Sequence, residues 1–568
     1  MTADWRLVNL QSPILNLQSL SRQVPVVRRR GIIVVMVTEE INNNGSVREN
    51  IDARRTFAII SHPDAGKTTL TEKLLLYGNA IHLAGSVRAR RNQRSATSDW
   101  MAMEQERGIS ITSTVLQFPY RGHVINLLDT PGHQDFSEDT YRTLMAADCA
   151  VMVLDAARGV EPQTRKLFEV CRRRGIPVFT FINKMDRPAR DPLALLDEVE
   201  TVLGMQPVPM NWPIGDGDRF MGVYDRATEQ VHLFDRTTHN QSISPETITT
   251  LDDPRLRAGL SDLQFEDLHV NIGLLDELAG FDRDRVLTGE QTPVYFGSAL
   301  TNFGVQLFLD DFVRFAPAPA AYPSSAGLID PAQNEFSGFV FKIQANMDPR
   351  HRDSVAFMRI CSGRFERNMP VIHPRSGKSL KLSRPYKFFA DEREVVDEAY
   401  AGDIIGLPGN RDFNIGDTIS AGNDFSFAPI PRFAAEHFAR LINLDVGKQK
   451  QFLKGIHQLE TEGAMQVLYE TDARKRDPIL AVVGVLQFDV VQARLEGEYG
   501  VKTRLEILPH QLSRFVEGPA AQIERLPWRY SMMQTRDVDG RLVALFSSEH
   551  ELNYYTDKFP EIQFKSIQ

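Results

Sequence analysis

Short, near-continuous apolar runs recur from Arg55 onward: Thr56–Ile60 (TFAII), Val124–Leu128 (VINLL), Ala150–Leu154 (AVMVL), Val178–Ile182 (VFTFI) and Val294–Phe296 (VYF). They lack polar alternation, so both faces must be covered, as in the strands of a parallel sheet flanked by helices. Between them lie segments of helical period. One opens at Lys67 and sets Leu70 and Leu74 on one face; another spans Thr164 to Arg174 and groups Leu167, Val170 and Cys171. Strand, loop and helix in this order predict a doubly wound, mostly parallel α/β domain over residues 51–320, with ligands outside the carboxyl ends of its strands. The interval from Ile182 to Val294 is too long for one crossover. It holds alternating patterns at Arg219–Tyr224 and Gln230–Phe234 and a helical stretch from Phe265 to Leu278, so a subdomain inserted at about 205–289 is expected.

After the linker Ala316–Ser325 (APAPAAYPSS) the pattern changes. Gly338–Ile343, Ser354–Ile360, Met369–Ile372 and Ile404–Leu407 are short strands set apart by turn residues, which predicts an antiparallel β-barrel over 326–426. A Pro-containing junction, Phe427–Arg432, opens a C-terminal α+β domain over 427–568, with strands at Pro478–Val483 and Lys502–Ile507 around a helix at Leu486–Tyr499. Residues 1–50 differ from the rest. No acid lies between Asp4 and Glu39, Arg22 and Arg28 to Arg30 add positive charge, and a second methionine, Met36, precedes the polar run Thr38–Asn50. A transit peptide has that composition, while Ile32–Val37 is too short for a secretory apolar core. The expectation is a disordered N-terminal extension.

Composition narrows the class. A chain of 568 residues with 42% hydrophobic and 24% charged residues suits several globular domains. No apolar run approaches the roughly 20 residues that cross a bilayer. Cys149, Cys171 and Cys361 are too few and scattered for a disulfide framework or metal site, so they read as apolar fillers in a cytoplasmic protein. A net charge of −9 argues against non-specific coating of nucleic acid. Local basic clusters remain at Arg88, Arg90, Arg91 and Arg94, at Arg172 to Arg174, at Lys448, Lys450 and Lys454, and at Arg474 to Arg476; singly, each reads as solvated surface.

The candidate chemistry lies at predicted strand ends. Ser61, His62, Pro63, Asp64, Ala65, Gly66, Lys67 and Thr68 (SHPDAGKT) form a loop before a helix. Its amides can wrap phosphates, Lys67 can lie against the β and γ oxygens, and Thr68 can offer its hydroxyl to magnesium. Ser61 replaces the usual first glycine of that pattern. Asp129, Thr130, Pro131, Gly132 and His133 (DTPGH) follow the next strand; Asp129 can hold a magnesium-bound water and the Gly132 amide can meet the γ-phosphate. Asn183, Lys184, Met185 and Asp186 (NKMD) end another. Asp186 can accept both the N1 and N2 protons of guanine, and facing adenine it would be left unpaired at a cost of several kcal/mol. Asn183 can meet the acceptor edge of the base, and Lys184 can lie over the ring. Ser298, Ala299 and Leu300 (SAL) can present amides to the guanine oxygen. Each motif alone also describes an ordinary turn or cap. Their order, each after its own strand, predicts a site for GTP and GDP. In Arg107–Thr112 (RGISIT), Ser110 is either a plain loop serine or a magnesium ligand present only with the γ-phosphate, which would make a switch.

These residues resemble the translational GTPases. DTPGH and RGISIT mark that group, and the stretches ISHPDAGKTTLTEKLLLYGNAI and Asp129–Arg187 are similar to the bacterial peptide chain release factor three family, from about Arg54 to the C-terminus. The resemblance implies Lys67 and Thr68 at phosphates and magnesium, Asp129 near magnesium, and Asn183 and Asp186 on guanine. It also implies that His133 orients the attacking water between Pro63 and Ile109, and that Ser110 stands where elongation factors carry threonine. The implied catalytic set is His133, Lys67 and Gly132, with Thr68, Ser110 and Asp129 around Mg2+. The implied partners are the ribosome, through large-subunit RNA and proteins, and class I release factors acted on indirectly; no membrane is involved and a monomer is expected. The nearest rival is elongation factor G, whose further C-terminal domains find no room in a chain ending at Gln568. A non-catalytic GTP-sensing adaptor is the rival from another class.

Overall fold

The computed structural model describes residues 2–7, 26–29, 32–39, 46–78, 110–234, 246–275, 280–345, 354–389, 392–409, 413–422, 425–431, 433–471, 477–528 and 532–565. The expected basic clusters at Arg88–Arg94 and Arg474–Arg476, and Ile109 of the expected gate, lie outside the described residues.

The strands of the first domain are β1 (Arg54–Ser61), β2 (Thr114–Tyr120), β3 (His123–Asp129), β4 (Cys149–Asp155), β5 (Val178–Asn183), β6 (Gln206–Pro209) and β7 (Gln291–Phe296). They form one seven-stranded sheet in the order β2-β3-β1-β4-β5-β7-β6. All neighbours are parallel except β2, which runs antiparallel along β3. Helices α1 (Lys67–Tyr77), α2 (Ser137–Leu144), α3 (Pro162–Arg173), α4 (Pro192–Leu203) and α5 (Val305–Phe315) cover it. Alternate residues of one strand serve opposite cores. Phe57 and Ile59 pack with Leu70, Leu74, Phe308 and Phe312 under α1 and α5, whereas Ala58 and Ile60 pack with Leu167, Phe168, Leu195 and Val199 under α3 and α4. That double burial is why the runs carry no alternation.

The insertion is smaller than expected. Gln206–Pro209 belongs to the main sheet, at its edge, where a strand with two prolines can sit without breaking a two-sided ladder. The inserted sheet begins at Asn211–Ile214 and continues through Gly222–Asp225, Gln230–Phe234 and Glu246–Thr249, followed by helices Pro254–Gly259 and Asp262–Leu275. The short helix Arg283–Leu287 returns to the main core through Val286.

The second domain is a curled antiparallel sheet of eight strands built around the hairpin Ser337–Ala345 and Ser354–Ser362. The third is an eight-stranded antiparallel sheet carrying α6 (Gln449–Thr461) and α7 (Leu486–Tyr499). Sheet two docks on the first domain through a buried ion pair. Arg359 donates to both Asp148 carboxylate oxygens at 2.9 and 2.7 Å, and Thr56 Oγ1 donates to the Gly402 carbonyl at 2.7 Å.

Thr2–Leu7, Ile32–Glu39 and Val26–Arg29 pair as an antiparallel three-stranded sheet. The β-branched run Ile32–Val35 supplies the strand propensity that the charge pattern hid. Ser46 then caps helix Val47–Asp52 in a reciprocal box with Glu49, and Ile51 enters the core of the second domain.

Candidate functional site

The carboxyl ends of β1, β5 and β7 and the turn after β3 converge on a cavity of about 530 Å³. It is lined by Ser61, His62, Pro63, Asp64, Gly66, Lys67, Thr68, Ser110, Gly132, His133, Asn183, Lys184, Asp186 and Leu300 among the expected residues. Residues far apart in sequence thus share one wall.

The loop after β1 is shaped by two left-handed residues, Asp64 (φ 65°) and Gly66 (φ 99°). Gly66 caps α1 with no side-chain hydrogen bond, so the first amides of α1 lack a capping side chain, the condition in which a helix N-terminus can take an anion. A Cβ at Gly66 would lie 2.2 Å from Asn183 Nδ2, so only glycine fits.

Lys67 is buried, and its ammonium donates to Asp129 Oδ1 at 2.9 Å and to the Thr130 carbonyl. The Lys67 side chain covers Asp129, which is not on the cavity wall. Asp129 Oδ2 and Ser61 Oγ are buried without a hydrogen-bond partner among the described residues. A buried carboxylate oxygen in that state suits a cation or its bound water. Among the described residues no cluster of three or more His, Cys, Asp or Glu could hold a metal alone. A magnesium ion here would need oxygen ligands besides Asp129, and the hydroxyl residues Thr68 and Ser110 stand on the cavity wall.

On the base side, Asp186 Oδ1 accepts from Ser298 Oγ at 2.6 Å, which fixes the carboxylate at the cavity edge. Asn183, on the cavity wall, also ties loops together. Its Nδ2 donates to the Ala65 carbonyl at 2.9 Å, and its Oδ1 accepts from the amides of Lys184 at 2.8 Å and Ala299 at 2.9 Å. The buried amide therefore ties the phosphate loop to the 298–300 loop. Ala65, Met185, Ser298 and Ala299 lie behind the wall and hold the loops; the amide of Met185 donates to the Gly297 carbonyl at 3.1 Å. Thr130 donates to the Ile59 carbonyl at 2.5 Å, and Pro131 accepts from Thr140, so both shape the turn after β3.

Glu72, Lys73, Arg158 and Arg187 also line the cavity and were not anticipated, nor was Asp155 beside it. Asp155 accepts from Lys184 Nζ at 2.8 Å; burial opposes its ionisation, but Lys184 and the Ala157 amide hold its carboxyl below the ordinary range. Its signal was in the sequence, since Asp155 ends β4 as Asp129 ends β3. His133 and Pro63 both line the cavity, and the Pro63 Cα is 3.5 Å from where a Gly132 Cβ would sit.

This fold and this constellation define a translational GTPase. The family described as "Elongation factor Tu GTP binding domain" matches residues 52–318, "Elongation factor G domain 2" matches 335–422, and "Class II release factor RF3, C-terminal domain" matches 427–556. The peptide chain release factor 3 of Gloeobacter violaceus is 59% identical over 527 residues, covering 92% of this chain and 99% of that one. That of Microcystis aeruginosa is 56% identical, covering 94% and 98%. A crystal structure from Thermus thermophilus shares the fold at a TM-score of 0.65 and 21% identity, over 86% of this chain and 72% of that one. The chain belongs to the peptide chain release factor 3 family and is a guanine-nucleotide-binding GTPase of translation termination.

Proposed function

We propose that this protein hydrolyses GTP on the ribosome and uses the cycle to release class I release factors after termination. The observation that carries the proposal is the single cavity in which the phosphate loop, the turn Thr130–His133, and the base-side residues Asp186 and Leu300 meet. Lys67 and the first amides of α1 bind the phosphates, Asp186 reads the guanine edge with the 298–300 loop, and Asn183 keeps both loops in register. Thr68, Ser110 and Asp129 hold Mg2+, which when bound neutralises charge on the β- and γ-phosphate oxygens. Gly132 meets the γ-phosphate through its amide, and His133 orients the water.

His133 lines the cavity and is partly exposed, so its position is left to be fixed from outside, and unaided turnover is slow, on the order of 10⁻⁴ to 10⁻² per second. The large ribosomal subunit completes the site from outside. The GTP form must bind one ribosome state more tightly than another, since only differential affinity shifts an equilibrium. The protein works as a cytoplasmic monomer. No helix of the described residues is long and apolar enough to cross a membrane. The test is GTP hydrolysis with and without ribosomes, followed by peptide release scored for multiple turnovers of a class I factor. Ribosome-stimulated turnover with factor recycling is expected, and His133→Ala should keep nucleotide affinity while losing the stimulation. Full stimulated turnover in that variant removes the role of His133, and no stimulation in the parent protein removes the proposal.

A further inference from the structure

His133 has a neighbour that the GTP motifs do not include. Its Nδ1 lies 3.1 Å from Asp135 Oδ1 and 3.3 Å from the backbone nitrogen of Asp135. One ring nitrogen therefore faces both an acceptor and a donor. A protonated Nδ1 donates to the carboxylate; an unprotonated Nδ1 accepts from the amide. The imidazole is held in the same place in either state, and Nε2 is the nitrogen left for water.

The other oxygen of Asp135 reaches a different domain. Oδ2 accepts from the backbone amide of Leu486 at 2.8 Å, the first residue of α7, so the carboxylate also caps a helix of the C-terminal domain. Gly484 permits the approach. A Cβ there would lie 2.3 Å from Asp135 Cβ and 2.5 Å from its Cα, and backbone cannot step aside. Around the contact, Phe136 and Ile111, the residue after Ser110, pack against Val490 and Leu486.

We infer that Asp135 is a positioning residue for His133, and that the C-terminal domain sets its place through Leu486 and Gly484. Docking of the third domain then determines where the water-orienting histidine stands, so a partner that moves that domain changes the rate without touching nucleotide. The inference rests on the role proposed for His133.

The test uses the full chain on saturating ribosomes, with single-turnover GTP hydrolysis, its dependence on ribosome concentration, and GDP affinity measured separately. Asp135→Asn keeps an acceptor for Leu486 but removes the charge facing Nδ1. It should lower stimulated kcat about tenfold or more, with the ribosome KM and GDP affinity unchanged. Placed on His133→Ala, the same change should cost nothing further, because the group it positions is gone. Gly484→Ala, remote from nucleotide, should reproduce the kcat loss at unchanged GDP affinity. A kcat within about twofold of the parent for Asp135→Asn, or an equal loss in the His133→Ala background, overturns the positioning role. Parental kcat in Gly484→Ala overturns the part assigned to the C-terminal domain. If His133→Ala itself turns over fully, the proposed function of His133 fails instead; if it is dead while Asp135→Asn is normal, only the present inference fails.

Discussion

Lys67 and Asp129 neutralise each other within the protein, and a phosphate ligand must compete with that pair. With Lys67 on the phosphates as proposed, binding would exchange one buried ion pair for another, so the lysine would not be left buried and uncompensated. Two residues in the same cavity yield sharp expectations. Asp186→Asn replaces an acceptor by a group that mismatches guanine and matches xanthine, so guanosine nucleotides should weaken by at least about 10²-fold while xanthosine nucleotides gain; competition titration with both decides it. Gly66→Ala forces a Cβ into the Asn183 amide in a left-handed conformation. A loss of about 1–3 kcal/mol is expected, visible as a lower melting temperature or weaker GDP binding.

At the scale of elements, α5 covers one face of the sheet, and its Asp311 accepts from Tyr295 Oη of β7 at 3.2 Å. Burial, with Asp225 nearby, pushes the Asp311 carboxyl up to about 6. The folded state therefore holds the Asp311 proton more tightly than the unfolded chain does. Stability from this group is present below the unfolded value near 3.8 and is lost as pH rises through about 6. Asp311→Asn should melt above the parent at pH 7, and the gap should close by pH 4 in parallel thermal melts. The three cysteines sit at a similar extreme: burial raises the thiols of Cys149 and Cys361 and pushes Cys171 up to about 12, which keeps them unreactive fillers.

Across the whole molecule, the first two domains are joined by buried charge and the third by the Asp135 contact and by Arg142, which donates to the Gly463 carbonyl at 3.2 Å. Arg359 and Asp148 are essentially without solvent exposure, at 0% and 1%. Removing one partner strands the other, so Arg359→Ala should lose about 3–5 kcal/mol in urea unfolding. A double replacement by apolar residues of similar volume should recover most of it. The second domain is thus held by a buried ion pair, whereas the third meets the nucleotide domain through side-chain-to-backbone hydrogen bonds of Asp135 and Arg142 and the apolar packing of Phe136 and Ile111.

The main strands of the first sheet, helix α7 and the placing of four loops at strand ends were legible in the sequence, because periodicity and strand-end chemistry are local properties. The edge strands β2 and β6 were not, since an edge is defined by what lies beside it; the prolines of β6 looked like turn residues until its place at the rim was known. Asn183 was visible as a site residue, but its work as a tie between two loops needed the positions of Ala65 and Ala299. Asp135 carried no signal at all. Its importance depends on Gly484 and Leu486, brought next to it only when the domains close on each other, and contacts between distant segments leave no periodic trace in a single chain.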